Sequence, residues 1–237
     1  MIRGAIAIIP ARGGSKRILR KNIKSFFGKP LIAYSIQVAL ESSIFEKVIV
    51  STDDEEIAEI ALEYGAEIPF IRPKSISDDF APLAEVVEHA VSYFEKNGEN
   101  YENICTLYAT APLLQVKHLL EGYKALKNSD AVHAFSCSLM PFPVQRAFMI
   151  NNKGRCEMFT PDSYFTRSQD LEDSYQDAGQ FCWTNRQRQI QHNSNVVFSE
   201  ISIPVIIPRN LVQDIDTPED WHQAELMYEA HNNLINK

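Results

Sequence analysis

Five apolar residues in a row, Ala5–Ile9, end at Pro10. A run of that length without a polar alternate has no solvent face, so it predicts a strand covered on both sides, as in a parallel sheet. The segments that follow alternate in period. Pro30 opens a helix with Leu31, Tyr34, Ser35 and Val38 on one face. Val48–Ser51 is a second strand, and Asp53 is placed to cap a helix that shows Ile57, Ile60, Ala61 and Tyr64 on one side and stops at Gly65. Ile68–Ile71 predicts a short strand, Leu83–Phe94 a helix with Val86, Val87, Ala90 and Phe94 inward, Ile104–Tyr108 a strand, Val116–Leu126 a helix and Ala131–Ser136 a strand. Strand and helix in turn over 136 residues imply an α/β domain, with a parallel sheet flanked by helices. Ligands in such sheets bind at the carboxyl ends of the strands. The rhythm breaks over Met140–Gln191, which is polar, aromatic and turn-rich and fits an inserted lobe at about 140–191. It resumes with a strand, Ile203–Ile207, and a closing helix, Pro218–Asn232.

The 237 residues suit one domain, 1–237, able to bury roughly 70–75% of its unfolded surface. The formal net charge of −8 argues against nucleic acid as a partner. Cys105, Cys137, Cys156 and Cys182 form no CxxC pair, so neither a zinc knuckle nor a redox dithiol is expected, and reduced thiols fit a cytoplasmic protein. The N-terminal apolar run is broken by Pro10 and Arg12, too short for a signal peptide. No segment has the roughly 20 apolar residues of a spanning helix, so no membrane is expected as a partner.

Against this acidic background, residues 12–29 carry seven cations and no acid: Arg12, Lys16, Arg17, Arg20, Lys21, Lys24 and Lys29, out of 23 Lys and Arg in all. A charge run is ordinarily a solvated face. This one follows the first strand, where a nucleotide phosphate would sit. Gly13 and Gly14 let backbone N–H groups approach an anion, and Ser15 adds a hydroxyl. Arg clamps phosphate bidentately and Lys supplies a point charge. The loop is neither GxxxxGK[ST] nor GxGxxG.

The stretch IIPARGGSKRILRKNI resembles the signature IxARxxSKxxxxKN of the CMP–sugar-acid synthetases, which activate sialic acid and its bacterial relatives. The likeness runs from Ile6 to about Trp221. It implies a Rossmann-like, mostly parallel sheet of the nucleotide-diphospho-sugar transferase type. It implies CTP and a nonulosonic acid as substrates, Mg²⁺ or Mn²⁺ as cofactor, and pyrophosphate as by-product. By the same match Arg12, Ser15, Lys16, Lys21 and Asn22 would hold the triphosphate and ribose, with Lys21 on the leaving pyrophosphate. Arg72 and Ala81, in RPKSISDDFAP, match the segment that reads cytosine, with Asp79 ordering the loop.

Near the C-terminus, VQDIDTPEDW places Asp214 and Asp216 after the late apolar strand. In a strand, residues i and i+2 share a face, so both carboxylates reach one site while Ile215 turns inward. Hard oxygen ligands suit Mg²⁺. Helix capping also stands open, since Thr217-Pro218-Glu219-Asp220 reads as a helix start; that accounts for Glu219 and Asp220, leaves Asp216 open to either reading, and does not account for Asp214. The resemblance favours the metal. None of the six histidines lies in a motif that would mark a general base.

The lobe sequence RSQDLEDSYQDAGQFCW resembles the family's sugar pocket, which implies Arg167 on the substrate carboxylate and Gln169, Asp170 and Gln180 on hydroxyl or N-acyl groups. Phe181 and Trp183 alternate with Cys182 and suit strand core. In the family this lobe also makes a dimer contact, so a homodimer is implied. Sialic-acid members carry a QPTSPLR-like stretch where this chain has YATAPLL, putting Tyr108 for glutamine and Leu114 for arginine. Together with Asp177–Gln180 and PFPVQRA at 141–147, these departures resemble the branch that acts on pseudaminic acid, with Tyr108 in the sugar site. Action on an N-acylneuraminate or on legionaminate is the alternative within the family. A non-catalytic nucleotide-binding module on the same fold is the rival from another class, and the retained basic loop and aspartate pair speak against it.

Overall fold

The computed structural model describes residues 2–235. Six strands form one sheet: β1 (Ile2–Pro10), β2 (Lys47–Ser51), β3 (Asn100–Leu107), β4 (His133–Leu139), β5 (Tyr175–Asn185) and β6 (Ser202–Ile206), in the order β6-β4-β5-β3-β1-β2. All pairings are parallel except those of β5, which runs antiparallel to both β3 and β4. Helices α1 (Leu31–Ser42), α2 (Glu55–Glu63), α3 (Leu83–Lys96), α4 (Val116–Lys127), α5 (Arg186–His192) and α6 (Pro218–Ile235) complete the layers. The expected α/β sheet is present, and the apolar run of β1 is buried on both faces. Ala5, Ala7 and Ile9 pack with Ile32 and Ile36 of α1, while Ile6 and Ile8 pack with Ala90 and Phe94 of α3. This is the burial that a strand without polar alternates requires.

Three local expectations differ from what is found. Asp54, not Asp53, caps α2 by accepting from the Ile57 N–H at 3.0 Å, because Asp53 turns back to the Gly13 N–H at 3.2 Å. Ile68–Ile71 is not a strand; only isolated bridges, Ile49 to Glu67 and Thr52 to Ile71, tie that segment to β2. Tyr175–Asn185, expected within the inserted lobe, is a central strand of the sheet, so the projecting excursion is 140–174. There a short hairpin pairs Phe148–Ile150 with Cys156–Met158.

The antiparallel strand is held as core. Trp183 is fully buried and donates Nε1–H to the Leu119 carbonyl at 3.1 Å. Phe181 packs against Gly122 of α4 so closely that a Cβ there would lie 2.6 Å from its ring. The α4–sheet contact therefore needs glycine at 122. Among the described residues no helix is long and apolar enough to cross a membrane.

Because β1, β2, β3, β4 and β6 are parallel, their carboxyl ends share one edge. The loops 11–24, 72–82 and 108–110, the excursion after Leu139 and the segment leading to Asp214 all leave from it. Topology thus brings the basic loop, 72–82 and 108–110 to one edge.

Candidate active site

A cleft of about 600 Å³ opens at that edge, lined by Arg12, Ser15, Lys16, Arg17, Lys21 and Asn22 on one side, and by Arg72, Asp78, Asp79 and Ala81 on another. Thr106, Tyr108 and Thr110 form its far wall, and Asp216 also reaches it. Its volume suits a small organic ligand.

The basic loop splits by direction. Four of its seven cations face the cleft: Arg12, Lys16, Arg17 and Lys21. The other three are engaged elsewhere. Arg20, in the left-handed region at φ 54°, holds Asp54 and Glu56. Lys24 lies 4.2 Å from the Trp221 ring centre, and Lys29 donates to Gln37 at 3.0 Å. Gly13 does not offer its N–H to the cleft, since Asp53 takes it. Glycine is needed there for close approach, because a Cβ would fall 2.3 Å from Asp54 Oδ2. Asn22 is buried and donates Nδ2–H to the Arg12 carbonyl at 3.0 Å, closing the loop on itself.

A small core pins this loop to the acidic segment. Ile18 from the loop and Ile215 from between the two aspartates are buried in one cluster with Phe26, Leu31, Tyr34 and Trp221. The rings of Tyr34, Trp221 and Tyr228 meet Phe26 edge-on at 5.4–5.6 Å. Lys21 spans the seam, donating to the Ile215 carbonyl at 2.5 Å and to Asp216 Oδ1 at 3.1 Å. Arg17 pairs with the other oxygen of Asp216 at 2.9 Å.

Asp214 and Asp216 do not sit on a strand: β6 ends at Ile206, and they lie in an extended loop after a short turn at Arg209–Leu211. Ile215 nevertheless turns fully inward, as expected. Capping of α6 belongs to other residues. Asp220 Oδ2 accepts from the Thr217 N–H at 2.7 Å and from the Asp216 N–H at 3.1 Å, while Thr217 Oγ1 accepts from the Asp220 N–H at 3.2 Å. That reciprocal box leaves both carboxylates of the pair free of capping. Asp214 is solvent-exposed and, unlike Asp216, does not line the cleft among the described residues. Neighbouring protein nevertheless pushes its carboxyl above its usual range, and Asp216, Asp220 and Asp177 add to this while Lys21 opposes it. Among the described residues no cation pairs directly with Asp214.

Arg72 is buried at the floor, donating Nε–H to Ser77 at 3.1 Å and lying 3.5 Å from Asp53. Burial lowers its pKa, with Asp53 opposing. The Ala81 N–H is taken by Asp78 Oδ1 at 2.8 Å, so what Ala81 can offer a base is its carbonyl.

The expected sugar residues divide. Tyr108 stands at the cleft wall and also borders a second, mainly apolar hollow of about 260 Å³, where Val87, Val91, Phe135 and Phe198 are joined by Glu88 and Asp177. Burial first, then Asp177, raises the phenol's pKa, so it stays neutral. Gln180 is not open to ligand: it is buried and donates Nε2–H to the Leu211 carbonyl at 2.6 Å. Arg167 pairs with Asp170 at 2.6 Å on the exposed excursion, beside Gln169, and none of the three lines the cleft among the described residues. Leu114 is buried in the main core rather than in the sugar wall.

A family profile described as Cytidylyltransferase matches residues 6–204. The chain belongs to the cytidylyltransferase family. It is a CTP-dependent nucleotidyltransferase. A pseudaminic acid cytidylyltransferase of Campylobacter jejuni is 44% identical over 227 residues, 96% of this chain and 97% of that protein. A CMP-N,N'-diacetyllegionaminic acid synthase of Legionella pneumophila is 29% identical over 97% of this chain and 98% of that one. Among solved structures, a CMP:2-keto-3-deoxy-manno-octonic acid synthetase complexed with CTP superposes with a TM-score of 0.67 at 15% identity, covering 96% of this chain and 99% of that one. At that identity the likeness speaks for the fold.

Sequence reasoning missed Asp79 as an ion-pair partner. Its carboxylate takes both Arg12 and Lys16, residues 67 and 63 positions away. No local pattern signals such a contact.

Proposed function

We propose that the enzyme joins CMP to pseudaminic acid, releasing diphosphate, as a cytoplasmic homodimer that uses Mg²⁺ or Mn²⁺. The anomeric hydroxyl of the sugar acid gives up its proton to solvent as its oxygen forms a bond to the α-phosphorus of CTP. The bond from that phosphorus to the β-phosphate oxygen breaks, and pyrophosphate leaves with the electron pair. Arg12, Ser15, Lys16 and Lys21 hold the phosphates, so catalysis is chiefly positioning and electrostatic. The Ala81 carbonyl accepts from the exocyclic amine of cytosine, which uracil lacks, and Arg72 donates to the ring acceptors.

The donor set at the acid loop suits Mg²⁺. Two carboxylates supply hard oxygens, and this ion ordinarily takes its remaining ligands from water and substrate phosphate. Asp214, crowded by like charge and without a direct cation partner among the described residues, is a carboxylate that a cation would relieve. Asp214 and Asp216 would hold the ion, which supplies charge neutralisation on the phosphates when bound.

The observation that carries the choice of sugar is Tyr108 at the joint between the polar cleft and the apolar hollow. Pseudaminic acid has a second acylamino group and a terminal methyl where sialic acid has hydroxyls. A neutral phenol with an apolar face suits that boundary. The 44% identity to the Campylobacter enzyme points the same way. kcat/KM for pseudaminic acid should exceed those for legionaminic and N-acetylneuraminic acids. Against N-acetylneuraminic acid the margin is about 10–200-fold if methyl packing alone decides and on the order of 10⁴-fold if the wrong sugar leaves a buried donor unpaired. Legionaminic acid carries the same substituents in a different stereochemistry, so its rejection rests on shape. A preference for N-acetylneuraminic acid would overturn the assignment.

Homodimer formation is supported by the apolar face of the excursion, where Phe142, Ile150, Phe159 and Phe165 are exposed. A second copy would cover it and bring Arg167, Gln169 and Asp170 toward a neighbouring cleft. Light scattering should return twice the 27.0 kDa chain mass; a monomer at assay concentration would rule this out.

A further inference from the structure

Two carboxylates pair with the four cations of the cleft, two to each, and offset only part of their charge. Asp216 takes Arg17 and Lys21 from the acid loop, and Asp79 takes Arg12 and Lys16 from the loop opposite. Their settings differ. Lys21 is largely enclosed, whereas the side chain of Lys16 is 80% exposed and those of Arg12 and Asp79 about a third. Exposed pairs are weak individually because water screens them. Asp79 is nevertheless held in place. The Phe80 and Ala81 N–H groups both bond to Asp78 Oδ1, at 2.9 and 2.8 Å, forming a tight turn beside it. Lys16 and Arg12 hold the Asp79 carboxyl below the usual carboxylate range.

We propose that Asp79 is a resident competitor for the triphosphate, occupying Arg12 and Lys16 until a polyphosphate displaces it and returning when pyrophosphate leaves. The chemistry follows from the two-armed pair. A carboxylate that bridges two cations is displaced well only by an anion that brings oxygens to both. A triphosphate or pyrophosphate does so, whereas inorganic phosphate recovers less. Asp79 thereby disfavours short anions at the basic loop and lowers the affinity for the departing pyrophosphate, which speeds its release. This rests on the placement of the CTP phosphates against Arg12 and Lys16, and it holds for any sugar acid.

The test is calorimetric titration of the full chain with CTP and Mg²⁺, and separately with pyrophosphate, in the absence of any sugar acid so that nothing turns over. Asp79→Asn should tighten both ligands by about 2- to 30-fold, the range expected for releasing two exposed pairs. Product inhibition by pyrophosphate should strengthen in parallel. Asp79→Glu, which keeps the charge, should stay near the parent value. Glu85→Gln, the same charge change on an exposed residue at the start of α3, serves as the control for a general field effect. Unchanged or weaker binding in Asp79→Asn overturns the proposal, and so does equal tightening in Glu85→Gln. Arg12→Ala separates the two levels. If it leaves the CTP affinity unchanged, the placement of the phosphates fails; if it weakens CTP while Asp79→Asn does not tighten it, only the role of Asp79 fails.

Discussion

Removing divalent metal should abolish turnover, and Asp214→Asn should come close to doing the same without harming the fold. Charge stabilisation by a bound ion on phosphoryl oxygens is worth several kcal/mol, so excess chelator is expected to cost about 10³-fold or more in rate. Asp214→Asn should lower kcat/KM by roughly 10²-fold at limiting Mg²⁺, with partial recovery as the ion is raised. The stability effect has the opposite sign. The Asp214 carboxyl is shifted above its usual range by desolvation and by Asp216, Asp220 and Asp177. A carboxyl whose folded pKa lies above its unfolded one favours the protonated form in the fold. Its ionised form at neutral pH therefore weakens the fold, and this cost disappears as pH falls through the folded pKa. Replacing it by neutral asparagine should leave Tm unchanged or raise it, a common pattern where a site is tuned for function rather than stability. Added Mg²⁺ should raise the Tm of the parent more than that of the variant. A large fall in Tm for Asp214→Asn, or full activity in chelator, would show that the carboxylate is structural.

How much of this was legible in the sequence depends on the range of the interaction. The two-sided burial of β1 follows from the unbroken run Ala5–Ile9, and the inward face of α3 follows from Val86, Ala90 and Phe94, because both are set by periodicity along the chain. Strand β5 was hidden for a physical reason. It is central yet carries Gln176, Asp177, Gln180, Thr184 and Asn185 among its aromatics, and the sheet satisfies several of them by distant partners. Gln180 reaches the Leu211 carbonyl, Thr184 Oγ1 meets His133 Nδ1 at 2.9 Å, and Asn185 donates Nδ2–H to Asn103 Oδ1 at 3.4 Å. Those partners are invisible along the chain, so a polar alternation resembled a lobe.

The site shows the same division. The excess of cations in residues 12–29 is countable, but which of them face the cleft depends on Trp221, Asp54 and Gln37 drawing the other three away. The choice between Asp53 and Asp54 as cap could not be made from spacing, since either suits a helix start. It is decided by the Gly13 N–H, forty positions earlier. Arg167 was expected on the substrate carboxylate and Asp170 on hydroxyl or N-acyl groups, but their pairing with each other, away from the cleft, was not legible.

The second large effect is expected at Lys21. Its side chain is only 17% exposed, and its ammonium is directed by two acceptors on the acid loop, the Ile215 carbonyl and Asp216. That leaves a third N–H to aim at the phosphates. A positioned donor of this kind contributes about 2–4 kcal/mol to the transition state, so Lys21→Ala should lower kcat/KM by roughly 30- to 1,000-fold. Charge builds on the leaving pyrophosphate only as the bond breaks, so most of the loss should fall on kcat, with a smaller change in the Kd of CTP. Arg12→Ala should divide the other way, because Arg12 is more open and meets the ground-state triphosphate. Lys21→Arg should recover little, since a planar fork does not fit a site built around a compact ammonium with three radiating donors. If Lys21→Ala instead raised the Kd of CTP as much as it lowered kcat/KM, Lys21 would be a ground-state binding residue. The assignment to the leaving group would then pass to Arg17, the other cation on Asp216.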